Sequence, residues 1–498
     1  MSTFDASNPA KVKKSSVQAA PAASHDSVNP PNLISFMLKN WKPASGKMPA
    51  PIRNLANFKK RRQALSKLFP GELILIPTGH LKVRANDTHY SFRPATDFYY
   101  LTGNMEPDCV LALMPEGNSG HKDVLFVEPN PGKTDATFYT DRIKGELWEG
   151  ARLGVPESRA KYGVQDTRGL PELETFVKSM MPAAPKGVRI LRDHSAMLEA
   201  WVGRSTPEQR KKDQDLATAL SEMRLIKDKE EIKELADAVN ATKRGFEDVI
   251  RRIKTAKTER ELEGVFFTRA RMEGNDVGYG SIVASGAHAC TLHWKKNDGI
   301  LRKNDLLLLD AGIEGNSLYT ADITRTFPIS GKFSREQKLI YELVLAAQSA
   351  ALKAVKAGND FMEPNRAAMK VLAEGLEKLG ILPTSAEEAL KDENQFYKRY
   401  SLHNVSHMLG LDVHDCAQAR AENYKYGKLE AGMVLTVEPG LYFQVDDMTV
   451  PARFRGIGVR IEDDVVVTEK GCKNLSANIP HTVKDIEAWM KSLWKKKA

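Results

Sequence analysis

Cysteine is scarce in this chain. Its 498 residues hold four, Cys109, Cys290, Cys416 and Cys472, far apart and with no Cys-x-x-Cys pair. That usage excludes a dense disulfide framework and fits free thiols in a reducing cytosol. Long apolar runs are also missing, so no segment is expected to span a bilayer. The first residues lack the apolar core of a secretory signal. Asp5 and Asp26 precede the first arginine, Arg53, which argues against an arginine-rich mitochondrial presequence. No repeat of short period is present. The formal charge of +9 is small for this length and comes partly from the terminal run Lys495-Lys496-Lys497. It reads as a solvated surface, not as a nucleic-acid interface.

What remains is ordinary globular composition, 42% hydrophobic and 28% charged. The chain is too long for one core, so two domains and a tail are expected. Residues 1–45, rich in Ala, Ser, Pro and Lys, read as a disordered tail. Residues 46–222 read as a mixed α/β domain. Its buried strands run Leu73-Ile74-Leu75-Ile76-Pro77, Val110-Leu111-Ala112-Leu113 and Val124-Leu125-Phe126-Val127, with helical stretches over 55–69 and 206–224. A second domain, 223–498, opens with apolar residues at helical spacing from Ile232 to Ile253. Thr258 and Glu261 form a capping-box pattern before a further helix. From Ser281 onward strands and turns dominate, apart from a helical stretch near 334–379. At the end, Ile486, Trp489, Met490, Leu493 and Trp494 share one helical face, suited to docking on the core or on a subunit partner.

Five residues in this second half carry metal-ligand chemistry. Leu306-Leu307-Leu308-Leu309-Asp310 reads as a buried strand ending in an acid. A turn at Glu314-Gly315-Asn316 follows, then a strand through Asp322, so a hairpin would bring Asp310 and Asp322 together across the strands. Either acid alone reads as a turn or cap residue. Two that approach repel each other unless a cation lies between them. Three of the eleven histidines, His403, His407 and His414, fall within twelve positions, which suggests one ligand and two proton or oxyanion partners. Glu438 ends a strand before Pro439. Arg460 and Glu462 share one face of a strand read over 456–464. Four carboxylates and two divalent cations balance in charge, and Arg460 is placed to offset a hydroxide. The oxygen-rich set favours manganese, with zinc, cobalt and iron as alternatives.

The segments Leu309-Asp310-Ala311-Gly312, Ala321-Asp322 through Pro328, Ser406-His407 through Asp415, Val437-Glu438-Pro439-Gly440-Leu441-Tyr442 and Arg460-Ile461-Glu462-Asp463-Asp464, in this order, resemble the pita-bread metallopeptidases of the aminopeptidase P and prolidase branch. Asn86-Asp87-Thr88 and Asp97 through Gly103, read as aromatic-rich strand, resemble that branch's creatinase-type N-terminal domain. The resemblance implies an α/β (α+β) fold, with a creatinase-like domain over 46–222 followed by a pita-bread catalytic domain over 223–498. It implies two divalent metals on Asp310, Asp322, His407, Glu438 and Glu462, with Glu438 also moving protons. His293, His403 and His414 match substrate-side histidines, and Tyr442 and Arg460 match neighbours of the cluster. Asn404 stands where the family often has Gly, with left-handed backbone as the expectation.

The activity implied is cleavage of the N-terminal Xaa-Pro bond of peptides with proline at the second position, by a cytoplasmic homo-oligomer, dimeric or tetrameric. Two alternatives stand beside it: a prolidase restricted to Xaa-Pro dipeptides, and a non-catalytic pita-bread peptide-binding protein. The latter would have lost ligands, and this chain keeps all five.

Overall fold

The computed structural model describes residues 29–43, 45–117, 120–203 and 206–495. Most of the expected tail, and Lys496 and Lys497, lie outside these residues. The end of the tail reading is corrected: Pro31–Met37 is a helix. Pro31 occupies its first turn, where no amide donor is needed, and the Met37 carbonyl accepts a hydrogen bond from the Tyr139 hydroxyl at 2.8 Å.

The three strands expected in the first half lie together in one five-stranded sheet. Its order is Asp166–Gly169, Gly120–Val127, Val110–Glu116, Leu73–Pro77 and Val188–Ile190. The three inner strands pair antiparallel and the two edge strands parallel. Every residue of Leu73–Pro77 is buried, because both faces are covered and the strand carries no polar face to show. Leu55–Leu68 covers one face, while Leu173–Ala183 and Ala196–Val202 join the apolar cluster on the other.

The aromatic stretch after it departs from expectation. Thr96–Thr102 is a helix, with Phe98 through Thr102 all buried. A helix buried all round shows no period, so its sequence reads equally well as strand. Gly103 stops it with φ +67°.

Pro207–Met223 leads into the 25-residue helix Lys229–Ile253, which begins in a full capping box of Asp228 and Glu231. At the next helix, Glu259–Glu273, only half the expected box forms. Thr258 Oγ1 accepts from the Glu261 amide, but the Glu261 carboxylate takes the Lys257 amide instead. The helical region beyond 334 is two packed helices, Arg335–Ala354 and Glu363–Lys378. These helices and Lys229–Ile253 share one apolar cluster with short two- and three-stranded sheets. The last helix, Val483–Lys495, buries Ile486, Met490 and Leu493 in that same cluster, and Trp494 Nε1 donates to the Ile250 carbonyl at 2.7 Å. Its apolar face is therefore spent on the chain's own core and not on a partner.

Strand breaks in this half decide where the acids go. Leu306–Ala311 pairs with Ile323–Pro328 and with Ile282–Ser285, all antiparallel. Val434–Val437 pairs with Asp463–Thr468, but Gly440–Tyr442 pairs with Gly458–Arg460 in a different sheet. The strand read continuously over 456–464 is thus two strands, since its halves have different partners. Glu438 and Glu462 sit at the two step-overs, where Ile461 N donates to the Pro439 carbonyl.

Candidate metal centre

The Asp310–Asp322 hairpin forms, though not as a directly opposed pair. Asp310 lies across from Thr324, and Asp322 stands two residues earlier, a diagonal neighbour on the same face. The connection is more than a tight turn: Ile313–Glu314 pairs with Asp276–Val277. Gly312 is required there, since a Cβ would lie 1.6 Å from the Ala321 carbonyl oxygen. The Tyr279 hydroxyl spans the two acids, 2.6 Å from Asp310 Oδ1 and 2.5 Å from Asp322 Oδ1.

The other three candidate ligands close on the same point. His407 Nε2 lies 3.3 Å from Asp322 Oδ2 and 3.4 Å from Glu438 Oε1. Ligand atoms of Asp322, His407 and Glu462 all fall within 4.8 Å of one another. His407 Nδ1 is 3.1 Å from the Met408 carbonyl, which leaves Nε2 as the nitrogen aimed at the acids. Arg460 ties the far side: Nη2 donates to Asp310 Oδ2 at 2.5 Å, Nε to Thr324 Oγ1 at 3.2 Å and Nη1 to the Tyr442 hydroxyl at 2.9 Å. Thr324 in turn donates to Glu462 Oε2 at 2.6 Å. Arg325, fully buried, donates to the Glu462 carbonyl at 2.6 Å and so fixes that step-over.

Asp310, Asp322 and Glu462 are buried, whereas Glu438 and His407 keep side-chain exposures of 15% and 17%. The cluster therefore opens on the side of Glu438 and His407, where His403 and His414 stand, with His293 within electrostatic reach of both. His403 Nδ1 is 3.5 Å from Glu438 Oε2 and its Nε2 is 2.7 Å from the Tyr442 hydroxyl. The His414 ring meets His407 edge-on at 4.5 Å. His293 is exposed on the loop after Cys290, whose thiol donates to the Phe443 carbonyl. All ten residues singled out in the sequence thus gather around one centre. Asn404 beside them does not adopt positive φ; its carbonyl lies 2.8 Å from His403 Nδ1.

The electrostatics test whether cations fit. Burial first, then the charges of Asp322, Glu438 and Asp310, pushes Glu462 well above the usual carboxylate range; burial lifts Glu438 up to about 7 against the opposing charge of His407. Asp310 is raised as well, by burial and by Asp322. Burial alone would lower His407, but the hydrogen bond and charge of Asp322 and the charge of Glu438 outweigh it and lift it to about 9. His403 goes the other way, down to about 4, through burial and the Arg460 charge. Alone, then, the acids take up protons to relieve their repulsion. Divalent cations at the same point would replace those protons, and four hard oxygen donors with one imidazole suit them.

Tyr279, Thr324 and Asp464 escaped sequence reasoning. Asp464 accepts from the Asp322 amide at 3.1 Å, and its other oxygen is buried without a partner. For Tyr279 a signal existed in its flanking glycines: a Cβ at Gly278 would strike Thr320 Oγ1 at 1.8 Å.

Residues 58–189 match the aminopeptidase P N-terminal domain and residues 233–469 match metallopeptidase family M24. Xaa-Pro aminopeptidase 1 of Streptomyces coelicolor is 48% identical over 93% of this chain and 92% of its own length. The chain belongs to the Xaa-Pro aminopeptidase family. The Haemophilus influenzae Xaa-Pro aminopeptidase is 35% identical over 86% of this chain and 96% of its own. Among solved structures, Escherichia coli aminopeptidase P with the inhibitor Pro-Leu superposes with a TM-score of 0.80 at 33% identity. It covers 90% of this chain and all of the other. The family's architecture, an N-terminal α/β domain followed by a pita-bread metallopeptidase domain, is the one described above, and this chain is a metallo-exopeptidase. A zinc-substituted Escherichia coli enzyme with product is equally similar, with a TM-score of 0.80. Among the described residues no helix is long and apolar enough to cross a membrane.

Proposed function

We propose that Asp310, Asp322, His407, Glu438 and Glu462 hold two divalent cations, and that the centre hydrolyses the bond between the first residue of a peptide and a proline at the second position. The observation that carries this reading is the convergence of four carboxylates and one imidazole, from five separate segments, on a point where the Arg460 guanidinium pairs with Asp310. Bound cations would supply a Lewis acid for the scissile carbonyl and a water acidified to near neutrality. Manganese suits the ligand set best, with zinc, cobalt and iron as the other candidates.

The chain's own residues do the rest. Glu438, on the open side, takes a proton from the attacking water and returns it to the departing proline nitrogen. His293 and His414 donate to the oxygen that becomes negative as the carbonyl turns tetrahedral. Arg460 offsets the excess negative charge on Asp310. Through Tyr442 it also fixes the His403 ring, which faces the substrate. The substrate's free amine is held by the acidic ligands, so cleavage falls after one residue.

The chain divides near Met223 into a domain over 46–222 and a catalytic domain over 223–498. The four cysteines are all free, in keeping with a cytoplasmic enzyme, and the assembly is a dimer or tetramer. Two measurements test the reading. Chelation should abolish turnover and manganese should restore it, while binding without cleavage in the reloaded protein would favour a non-catalytic peptide-binding protein. Peptides Xaa-Pro-Yaa-Zaa should be cut as well as Xaa-Pro; cleavage of the dipeptide alone would make the enzyme a prolidase.

A further inference from the structure

His293 rides on an irregular loop between the strand Ile282–Ser285 and Ile300. The loop is nevertheless bound at both ends and in the middle by one carboxylate. Glu259, at the start of the helix Glu259–Glu273, is fully buried. Its Oε1 accepts from the Ser285 amide at 2.7 Å and the Ser285 hydroxyl at 2.9 Å, and lies 2.9 Å from His288 Nδ1. Its Oε2 accepts from Trp294 Nε1 at 2.8 Å and the Gly299 amide at 2.7 Å. The His288 and Trp294 rings stack at 3.8 Å, so the residue next to His293 is gripped on its edge and on its face. Gly299 must be glycine here, since a Cβ would lie 2.6 Å from both Glu259 Oε1 and His288 Nδ1.

We propose that Glu259 is a positioning residue for the reaction, holding the loop over 286–299 so that His293 faces the carboxylate cluster. The proposal rests on the role given to His293 above. A buried carboxylate with no lysine or arginine partner is costly unless donors surround it, and here all five come from the loop or its anchor. Burial alone would raise its pKa; the hydrogen bonds from Ser285, Trp294, His288 and Gly299 outweigh that and hold it below the usual range. Ionised, both oxygens accept. In Glu259→Gln one of them becomes an amide NH2, itself a donor, facing the donors of that end, and one end of the clamp is released.

The test is a double-mutant cycle on the full-length, manganese-loaded enzyme with an Xaa-Pro-Yaa peptide. Glu259→Gln should lower kcat about tenfold with KM nearly unchanged, as expected of a misplaced transition-state donor. In a His293→Ala background the same change should alter kcat by less than about twofold, because two residues acting through one contact are not additive. Metal content per chain should stay at the wild-type value throughout. If Glu259→Gln fails to fold, Trp294→Phe, which removes one donor and keeps the stacked ring, enters the same cycle. Equal losses in both backgrounds, with His293→Ala itself impaired, would overturn the positioning role alone. Unchanged kinetics in His293→Ala would overturn the role of His293 and the proposal with it.

Discussion

Two buried clusters of charge lie close together in this molecule, and they are built on opposite terms. One is the candidate metal centre. The other joins Asp415, Arg224, Lys227 and Asp97, beginning one residue after His414 in the chain. In the second, Asp415 Oδ1 accepts from Arg224 Nε at 3.0 Å and Oδ2 from Lys227 Nζ at 3.1 Å, and Arg224 also pairs with Asp97. Two acids meet two bases. Burial raises both acids: at Asp415 Lys227 and Arg224 outweigh it and leave the acid below its ordinary range, whereas at Asp97 burial prevails over Arg224 and leaves it raised; Lys227 is raised, Asp415 outweighing its burial. At the metal centre burial acts in the same direction, but one guanidinium and one imidazole face four carboxylates, and Asp310, Glu438 and Glu462 end up raised. The balanced cluster matches its acids to bases within the fold. The unbalanced one is short of positive charge, as a cation site must be.

The sharpest way to break this contrast is to remove an acid from each. Glu438→Ala should cut turnover of an Xaa-Pro peptide by about 10³-fold or more while the protein stays folded. Near-normal turnover, measured with circular dichroism as the control for folding, would refute the proton-handling role. Asp415→Asn should act mainly on stability. It leaves Arg224 and Lys227 buried beside a neutral group, a cost of about 3–5 kcal/mol, read as a lower urea midpoint with metal content retained. An unchanged midpoint would mean that this cluster is not the structural partner described.

A third, exposed pair calibrates both. Arg420, itself 58% exposed, donates to Glu222 at 2.7 and 2.8 Å. Those hydrogen bonds, chiefly Arg420 with Asn423 assisting, bring Glu222 down to about 2 from 4.5. The folded value is the lower one, so the contribution is present above about pH 4.5 and fades as pH falls toward 2. Solvent screening keeps it below about 1 kcal/mol. Glu222→Gln should therefore shift the melting temperature only slightly at pH 7, and the shift should vanish as pH falls through and below about 2.

The proposed ligands stood out in the sequence because several are chemically distinct residues placed at the end of an apolar run. Asp310 follows four leucines, and Glu438 precedes a proline. What supports them did not. Tyr279 and Thr324 gain their meaning from partners more than thirty and a hundred positions away in the chain, and Glu259 looked like one more acid in the first turn of a helix. The break after Arg460 was illegible for another reason: an unbroken apolar stretch does not say that its two halves pair with different neighbours. Thr96–Thr102 was misread because complete burial erased the period that separates helix from strand.

The step-overs at Glu438 and Glu462 carry a consequence for how this architecture can vary. Two oxygens hung on a joint take their separation from the joint, so residues farther along either ladder can be exchanged without re-spacing them. A one-residue slip at Pro439 or Ile461 would instead swing a carboxylate to the opposite face. The gauge of the centre is thus written in two peptide links that bear no reactive group of their own.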